Sequence, residues 1–571
     1  MRVIAVALFA LVLAVPADAA EARLTEERAT EIFLRHAKVA DWLDRYPERG
    51  RVTDATFDRE SARWTVHVWW RAAGEIATGE VADPSGRVLE AWTGPQVAWK
   101  MARGYEGAFG GKTINRLEVW LALCAVFLLG LVDWRRPLGL RTLDLVALLA
   151  FSVSLFRFND GDVFGSMALV YPPLVYLLAR MVWVARRGGG PSARAGTWPV
   201  WVLVAATVFL AGFRIGLNFE DSNVIDVGYA GVIGAHRIAN GEMPYGHMPA
   251  QGRLKPCGEA DAEGEVRERI QTNGRCESSN ERGDTYGPVA YMAYLPGFWL
   301  LGWSGKWDEL PAAHFTSIAA DLLVLVGLAL VGLRFGGARL AAALPFAWAA
   351  YPFTQYVLSS NTNDALVPLL LVWGFWLAAT PWARGALAAL AGWTKFGALI
   401  VAPLWASYPD GLRRPRAVVL FAAGFVAATA AAFWVFLLEP DPLAAVRTFW
   451  NRTLGWQLGR ESPFSIWDWG QYHASGIPDL RLVQLALIGL VLVGAVVAAF
   501  RPRTKSPFQL AALTAALLLG FELVLTHWSY LYIPWFFPFV AFAVLAPTRR
   551  PRGAEEAAAP DRQIPELVAA G

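Results

Sequence analysis

The chain has 571 residues, 55% of them hydrophobic and 17% charged, with a formal net charge of +3 and a mean hydropathy of +0.36. A soluble enzyme carries charge on about a quarter of its residues, whereas here apolar runs of about 17–22 residues recur, the length that crosses a bilayer as a helix. Composition therefore excludes a soluble enzyme in favour of a polytopic membrane protein. The absence of a basic patch interleaved with aromatics offers no surface for nucleic acid.

Residues 1–20, MRVIAVALFALVLAVPADAA, have one Arg, an apolar core and a small-residue end. That is the pattern of a secretory signal peptide, with an uncleaved anchor helix as the alternative, so the segment that follows is expected to be exported. Residues 21–112 read as a small extracytoplasmic α+β domain. An amphipathic helix is expected over Glu26–Tyr46. Strands are expected at Arg51–Phe57, Arg63–Trp70, Ile76–Val81 and Val88–Trp92, with a turn at Asp83–Gly86. The stretch Val81–Gly94, VADPSGRVLEAWTG, resembles the strand-turn-strand of the PepSY domain, a small secreted α+β module.

Residues 113–548 read as mostly α and membrane-embedded, with about eleven transmembrane helices: 117–133, 142–157, 164–185, 198–217, 313–334, 340–357, 365–381, 416–437, 482–500, 508–526 and 528–546. With residues 21–112 outside, the loops 134–141, 186–197, 335–339, 409–416 and 501–507 fall inside, and all of them are basic. The outer loops are then 218–288 and 438–481, with shorter ones at 158–163, 358–364 and 526–530. Two apolar segments do not fit single crossings. Residues 288–303 are short and hold Pro296, which suits a re-entrant or interfacial helix. Residues 385–407 hold Lys395 in their middle, which suits a short hairpin from the cytoplasmic side. Irregular backbone at that depth must line a cavity or be buried in protein. The tail 549–571 is rich in Ala, Pro and charge and reads as a disordered cytoplasmic segment.

Of three cysteines, Cys124 lies in an apolar helix, while Cys257 and Cys276 share one polar loop. In an exported loop those two are a candidate disulfide.

The polar residues with chemical potential gather in the expected outer loops. The first group follows the helix 198–217: Glu220, Asp221 and Asp226 lie within Asn218–Gly246, with Arg237 further along. The second is Ser359–Asp364, with Asn363 and Asp364. The third is Arg447–Gly470, with Arg452, Gln457, Arg460 and Trp467 among three arginines and four tryptophans. The fourth is Thr526–Tyr532, with His527 and Tyr530. Carboxylates supply a general base, while Arg, Lys and His cradle phosphate. Aromatic faces stack on sugars or sit at lipid headgroups. Structural roles stand beside these: Asn363 and Asp364 as helix caps, Arg452 paired with headgroups, the tryptophans as interfacial anchors, and Glu220 as a solvated loop acid.

The order Asp226-x-x-Tyr229, Ala235, Gly241 and Pro244-Tyr245, just beyond an early membrane helix, resembles the C-type (GT-C) glycosyltransferase superfamily. It is most similar to the actinobacterial, polyprenyl-phosphate-dependent mannosyltransferase-like branch. Tyr286-Gly-Pro288, Asn363-Asp364, Lys395 in a short hairpin and Arg460–Trp467 (RESPFSIW) carry the resemblance further, over roughly 198–546. The resemblance implies an inverting transferase in the plasma membrane. Its donor would be a polyprenyl-phospho-sugar, most simply mannose. Its acceptor would be a glycolipid, a wall polymer or a protein on the extracytoplasmic side. Asp226 matches the family's base, with Asp221, Glu220 and Asp364 as the other acids at hand. Lys395, Arg452, Arg460 and His527 are candidates for the phosphate cradle, and Tyr229, Arg237, Tyr245, Asn363, Gln457, Trp467 and Tyr530 for other substrate contacts. No cofactor is required, although some members of the superfamily use a divalent cation such as Mg or Mn. The rival classes are a transporter or flippase of a lipid-linked saccharide, and a non-catalytic membrane scaffold or sensor.

Overall fold

The structure is a computed structural model, and it describes residues 22–59, 61–70, 74–94, 97, 107, 109–188, 198–248, 255–257, 268–270, 276–278, 283–306, 309–460, 462–471 and 478–547. The expected signal segment and the C-terminal tail lie outside the described residues.

The N-terminal part is built as its alternation dictates. Strands β1 (Arg51–Asp58), β2 (Arg63–Trp70), β3 (Gly74–Ala82) and β4 (Val88–Thr93) form an antiparallel meander in that order. Successive side chains on a strand point to opposite faces, so Trp64, Val66 and Val68 are buried together and meet Phe33, Val39 and Leu43 of the covering helices. The expected single helix over Glu26–Tyr46 is two, Glu26–Leu34 and Ala37–Leu43. His36 between them is extended, with φ −63° and ψ 129°, and the break lets both short helices lie on one curved sheet. Gly79 makes the close fit possible, because a Cβ there would sit 2.4 Å from the Phe33 ring.

The rest is helical. Val163–Arg187 (broken after Ala168), Val200–Glu220, Pro311–Ala350, Pro415–Leu438 and Arg481–Phe500 are long and apolar enough to cross a bilayer, and shorter apolar helices pack among them. This is a multi-pass membrane protein. Its outward surface fits that solvent: Trp201, Val208 and Phe209 of one helix, and Leu482, Leu490 and Val493 of another, are exposed. The span Pro311–Ala350 reverses on itself at Gly337, where φ is 73°. A Cβ on Gly332 would lie 2.4 Å from Ala341 Cα, although nine residues of straight helix span about 13.5 Å. The two helices expected at 313–334 and 340–357 are therefore a tight hairpin.

Two buried ion pairs, invisible in the sequence, tie helices together. Arg214 forks onto Asp321, and Arg180 binds Asp144 at 2.9 Å. A charge at membrane depth needs such a partner.

Both segments expected to be irregular are so. Residues 288–303 form two short helices, Pro288–Met292 and Leu295–Leu301. After the helix Pro381–Gly392 the chain breaks at Trp393–Lys395 and continues as a 3₁₀ turn, Phe396–Val401. The two breaks touch: Val289 N donates to Trp393 O at 3.2 Å. Gly287 permits this contact, since a Cβ there would lie 1.9 Å from the same oxygen.

Candidate functional site

The loop after Val200–Glu220 runs beside the polar knot Ser359–Asp364. Asn223 N donates to Ser359 O at 2.9 Å and Ile225 N to Ser360 O at 3.4 Å. Asn361 adopts φ 50°, a conformation Asn tolerates. From it, Nδ2 donates to Ser222 Oγ and Asn223 O, both at 3.0 Å. Asn218 Nδ2 donates to Asn361 Oδ1 at 2.8 Å. Gly228 completes the fit, for a Cβ there would meet Asn361 O at 2.2 Å. Asp226, first residue of the helix Asp226–Ala239, follows directly on this pairing.

Lys395 stands at the other wall. Its Nζ is 3.3 Å from Asp364 Oδ1 and 4.2 Å from the centre of the Tyr286 ring, with the Tyr532 ring at 5.7 Å. Asp364 is fixed in turn by Thr362, whose Oγ1 donates to Oδ2 at 2.9 Å. Arg460 approaches from the segment after Pro442–Arg452. It donates through Nη2 to His527 Nε2 at 3.0 Å and lies 4.9 Å over the Trp456 ring. A guanidinium only donates, so His527 Nε2 accepts and its Nδ1–H donates to Ser462 Oγ at 2.8 Å. Asp226, Asp364 and Arg460 all act electrostatically on Tyr286 and on Lys395. The cluster is thus two acids and two cations about one tyrosine, in a part of the fold where the dielectric is low and such interactions are strong.

Other expected site residues are held in packing. Arg452 forks onto buried Asp284 with two contacts of 2.7 Å, and Asp284 also receives Gly246 N at 2.8 Å. Tyr245 is buried against Tyr291 and Phe449, and its hydroxyl donates to Tyr286 O at 2.9 Å, so it supports the ring that Lys395 faces. Arg237 binds Glu242 at 2.7 Å and His247 O at 2.8 Å, and this hydrogen bond, foremost, holds the Glu242 carboxyl below the usual range. Tyr229 is buried beside Trp303. Trp467 donates to Leu523 O and packs edge-on to Tyr171, while Tyr530 shares a 2.6 Å hydrogen bond with Ser154. Gln457 lies in the short helix Leu454–Leu458, and Asn363 is buried beside Asp364. Glu220 ends its helix exposed.

Asp221 accepts from Thr113 N at 2.5 Å. Partial burial opposes its charge, but hydrogen bonds from Thr113 and Lys112, with Arg116 nearby, outweigh that and hold the carboxyl below the usual range. Cys257 is disulfide-bonded and Cys124 is free; the third cysteine of the chain is Cys276. Among the described residues no group of three or more His, Cys, Asp or Glu side chains is placed to hold a metal ion.

Sequence reasoning missed Asp284, did not single out Trp456 and Tyr532 within their groups, and named Tyr286 only as a motif residue. Tyr286 had a signal, the Tyr-Gly-Pro run before a short helix. Asp284 had none, because its partner Arg452 is 168 residues away.

An open cleft of about 680 Å³ lies beside this region, lined by Leu301–Ser304 and Glu309–Pro311, with His314 at its wall. His314 Nδ1 is 2.9 Å from Asn218 Oδ1, which joins the cleft to the Asn361 knot.

The bundle of apolar helices gathers acids and cations about one half-buried tyrosine, groups of the kinds that take a proton and neutralise an anion. Residues 285–527 match the model of glycosyltransferase family 87, and that match supports a GT-C-type membrane glycosyltransferase. No curated protein and no solved structure matches the chain.

Proposed function

We propose that the protein transfers mannose from a polyprenyl-phosphate donor to an acceptor on the extracytoplasmic side, with inversion at the anomeric carbon. Asp226 takes the proton of the acceptor hydroxyl as that oxygen attacks the sugar C1. The bond from C1 to the phosphate oxygen breaks, and polyprenyl phosphate leaves with the electron pair. Lys395 and Arg460 meet the charge that develops on the leaving oxygen, where fixed cations in a low dielectric act most strongly.

The observation that carries this reading is Lys395 Nζ, 3.3 Å from Asp364 and 4.2 Å over the Tyr286 ring, on which Asp226 and Arg460 also act electrostatically. A lipid-borne donor is supported by the apolar wall of the neighbouring cleft, Leu301, Trp303, Leu310 and Pro311, and by exposed Trp299 and Leu300 beside it. The basic loops 134–141, 186–197, 335–339, 409–416 and 501–507 support an inside position for that end of the bundle. The sheet domain and the site then face outward in the plasma membrane, and the C-terminus faces the cytoplasm. In this reading the N-terminal domain is an exported, PepSY-like module made behind a signal segment. It sits on the site's end of the bundle: Trp92 stacks on Phe164 at 5.2 Å, and Phe164 packs on Trp469 at 5.6 Å.

The test is transfer of label from radiolabelled polyprenyl-phospho-mannose in membranes holding wild type or Asp226→Asn. Transfer by wild type alone is expected. Equal transfer by both would remove Asp226 from the chemistry, and no transfer by wild type would remove mannose as the donor sugar.

A further inference from the structure

The segment that leaves the N-terminal domain is built into the loop that carries Asp226. Asn223 Nδ2 donates to Gly107 O. Gly110 and Gly111 have φ of 75° and 82°, the left-handed region that glycine occupies without strain. Gly111 caps the short helix Lys112–Asn115, and Thr113 N there donates to Asp221 Oδ2 at 2.5 Å. The turn is locked internally, for Asn115 Nδ2 donates to Phe109 O and Gly111 O, each at 2.7 Å. It is locked externally by Asn159, which donates to Asn115 Oδ1 at 2.9 Å, and by the Phe109 ring, 6.2 Å from that of Tyr356. Tyr356 lies on the helix Pro352–Ser359, which leads into the knot that pairs with residues 223–225.

Asp221 therefore joins the linker to a loop whose far end, five residues on, is Asp226. We infer that Asp221 is a positioning residue: it receives the linker's amide and so fixes residues 222–226, and through them the aim of the Asp226 carboxylate. The inference rests on Asp226 being the base. It also makes the linker part of the transferase rather than a tether. Gly111 is the matching half of the contact, since a Cβ there would lie 2.7 Å from Asp221 O and 2.8 Å from Asp221 Oδ1. An alanine at 111 would push the loop from the linker side while leaving every acid in the sequence unchanged.

The experiment uses the purified full chain as wild type, Asp221→Asn, Asp221→Ala, Gly111→Ala and the Ala/Ala double variant. Asp221→Asn keeps a side-chain oxygen for the Thr113 amide. A reacting group misplaced by an ångström loses on the order of 10²-fold, and a loosened loop less, so Asp221→Ala and Gly111→Ala should each slow turnover by roughly tenfold with little change in donor KM. Asp221→Asn should keep most of the activity. The double variant should be no worse than either single change, because both break one contact. Hydrogen exchange of the amides of residues 222–228 gives a readout independent of donor choice. It should be faster in Asp221→Ala and Gly111→Ala and unchanged in Asp221→Asn. Asp221→Asn as inactive as Asp221→Ala, with wild-type exchange, would overturn the inference and make the Asp221 carboxylate chemical. Unchanged exchange in Asp221→Ala and Gly111→Ala would overturn it outright. A wild type without transfer would count against the donor or the enzyme reading, and exchange would still decide the role of Asp221.

Discussion

Two buried ion pairs in this bundle are built to opposite standards. Arg214 and Asp321 are closed. Both oxygens of Asp321 take a guanidinium nitrogen, Trp348 Nε1 adds a third hydrogen bond at 2.7 Å, and Arg214 Nη1 reaches Thr354 Oγ1 at 3.1 Å. Asp364 and Lys395 are open. Their contact is 3.3 Å, Lys395 leans over two tyrosine rings, and buried Asn363 Oδ1 and Glu522 Oε1 nearby find no hydrogen-bond partner among the described residues. A fully satisfied polar network rigidifies a core, whereas an incompletely satisfied one is expensive to keep. The first pair holds helices together. In the proposed reaction the second holds charge ready for a ligand, and its loose geometry is what a substrate phosphate and hydroxyl would complete.

Breaking each pair should separate these roles. The largest effect is expected on folding. Arg214→Met strands Asp321 in the core, and removing one partner of a buried pair costs about 3–5 kcal/mol. The yield of folded protein and the melting temperature in detergent should both drop sharply. A stable Arg214→Met would show that the closed pair is dispensable. Next comes Lys395→Met, which should cut transfer by about 10²–10³-fold, the range for losing one charge-stabilising group, with a smaller drop in melting temperature than Arg214→Met because Asp364 keeps its hydrogen bond from Thr362. A smaller loss, roughly tenfold in turnover, is expected for Gly287→Ala, which forces apart the two breaks that set Lys395 against Tyr286. Normal turnover in that variant would mean that the contact does not position the lysine.

The two regions also differ in how far the sequence discloses them. The four strands, the apolar spans, the irregular segments 288–303 and 385–407 and the reversal near residue 337 all follow from period, length and basic loops. These are local signals. The acids and cations gathered near Tyr286 were likewise visible as residue types in their segments. Their partners were not. Arg452 reads as a free phosphate ligand, yet it serves Asp284, and Asp221 reads as a second base, yet it holds Thr113, 108 residues away. The split at His36 was also hidden, because an amphipathic pattern continues across it. Pairings across more than a hundred residues are properties of the packed bundle, and one chain carries no periodic mark of them.

The smallest expected effect concerns pH. The folded carboxyl of Asp221 lies below its unfolded value, so its contribution is present above the unfolded pKa of about 3.9 and is lost as pH falls through the folded one. The melting temperature of wild type should therefore fall more steeply than that of Asp221→Asn below roughly pH 4. Parallel curves would indicate that the carboxylate charge adds nothing to the latch.

The most direct test of the site is donor binding and transfer measured side by side on purified Asp226→Asn, with polyprenyl-phospho-mannose as donor. Because Lys395 and Arg460 remain, the variant should bind the donor as wild type does. Transfer should fall by about 10²–10⁴-fold, the contribution of a positioned base. Wild-type transfer by this variant would contradict the assignment of Asp226 as the group that takes the acceptor's proton.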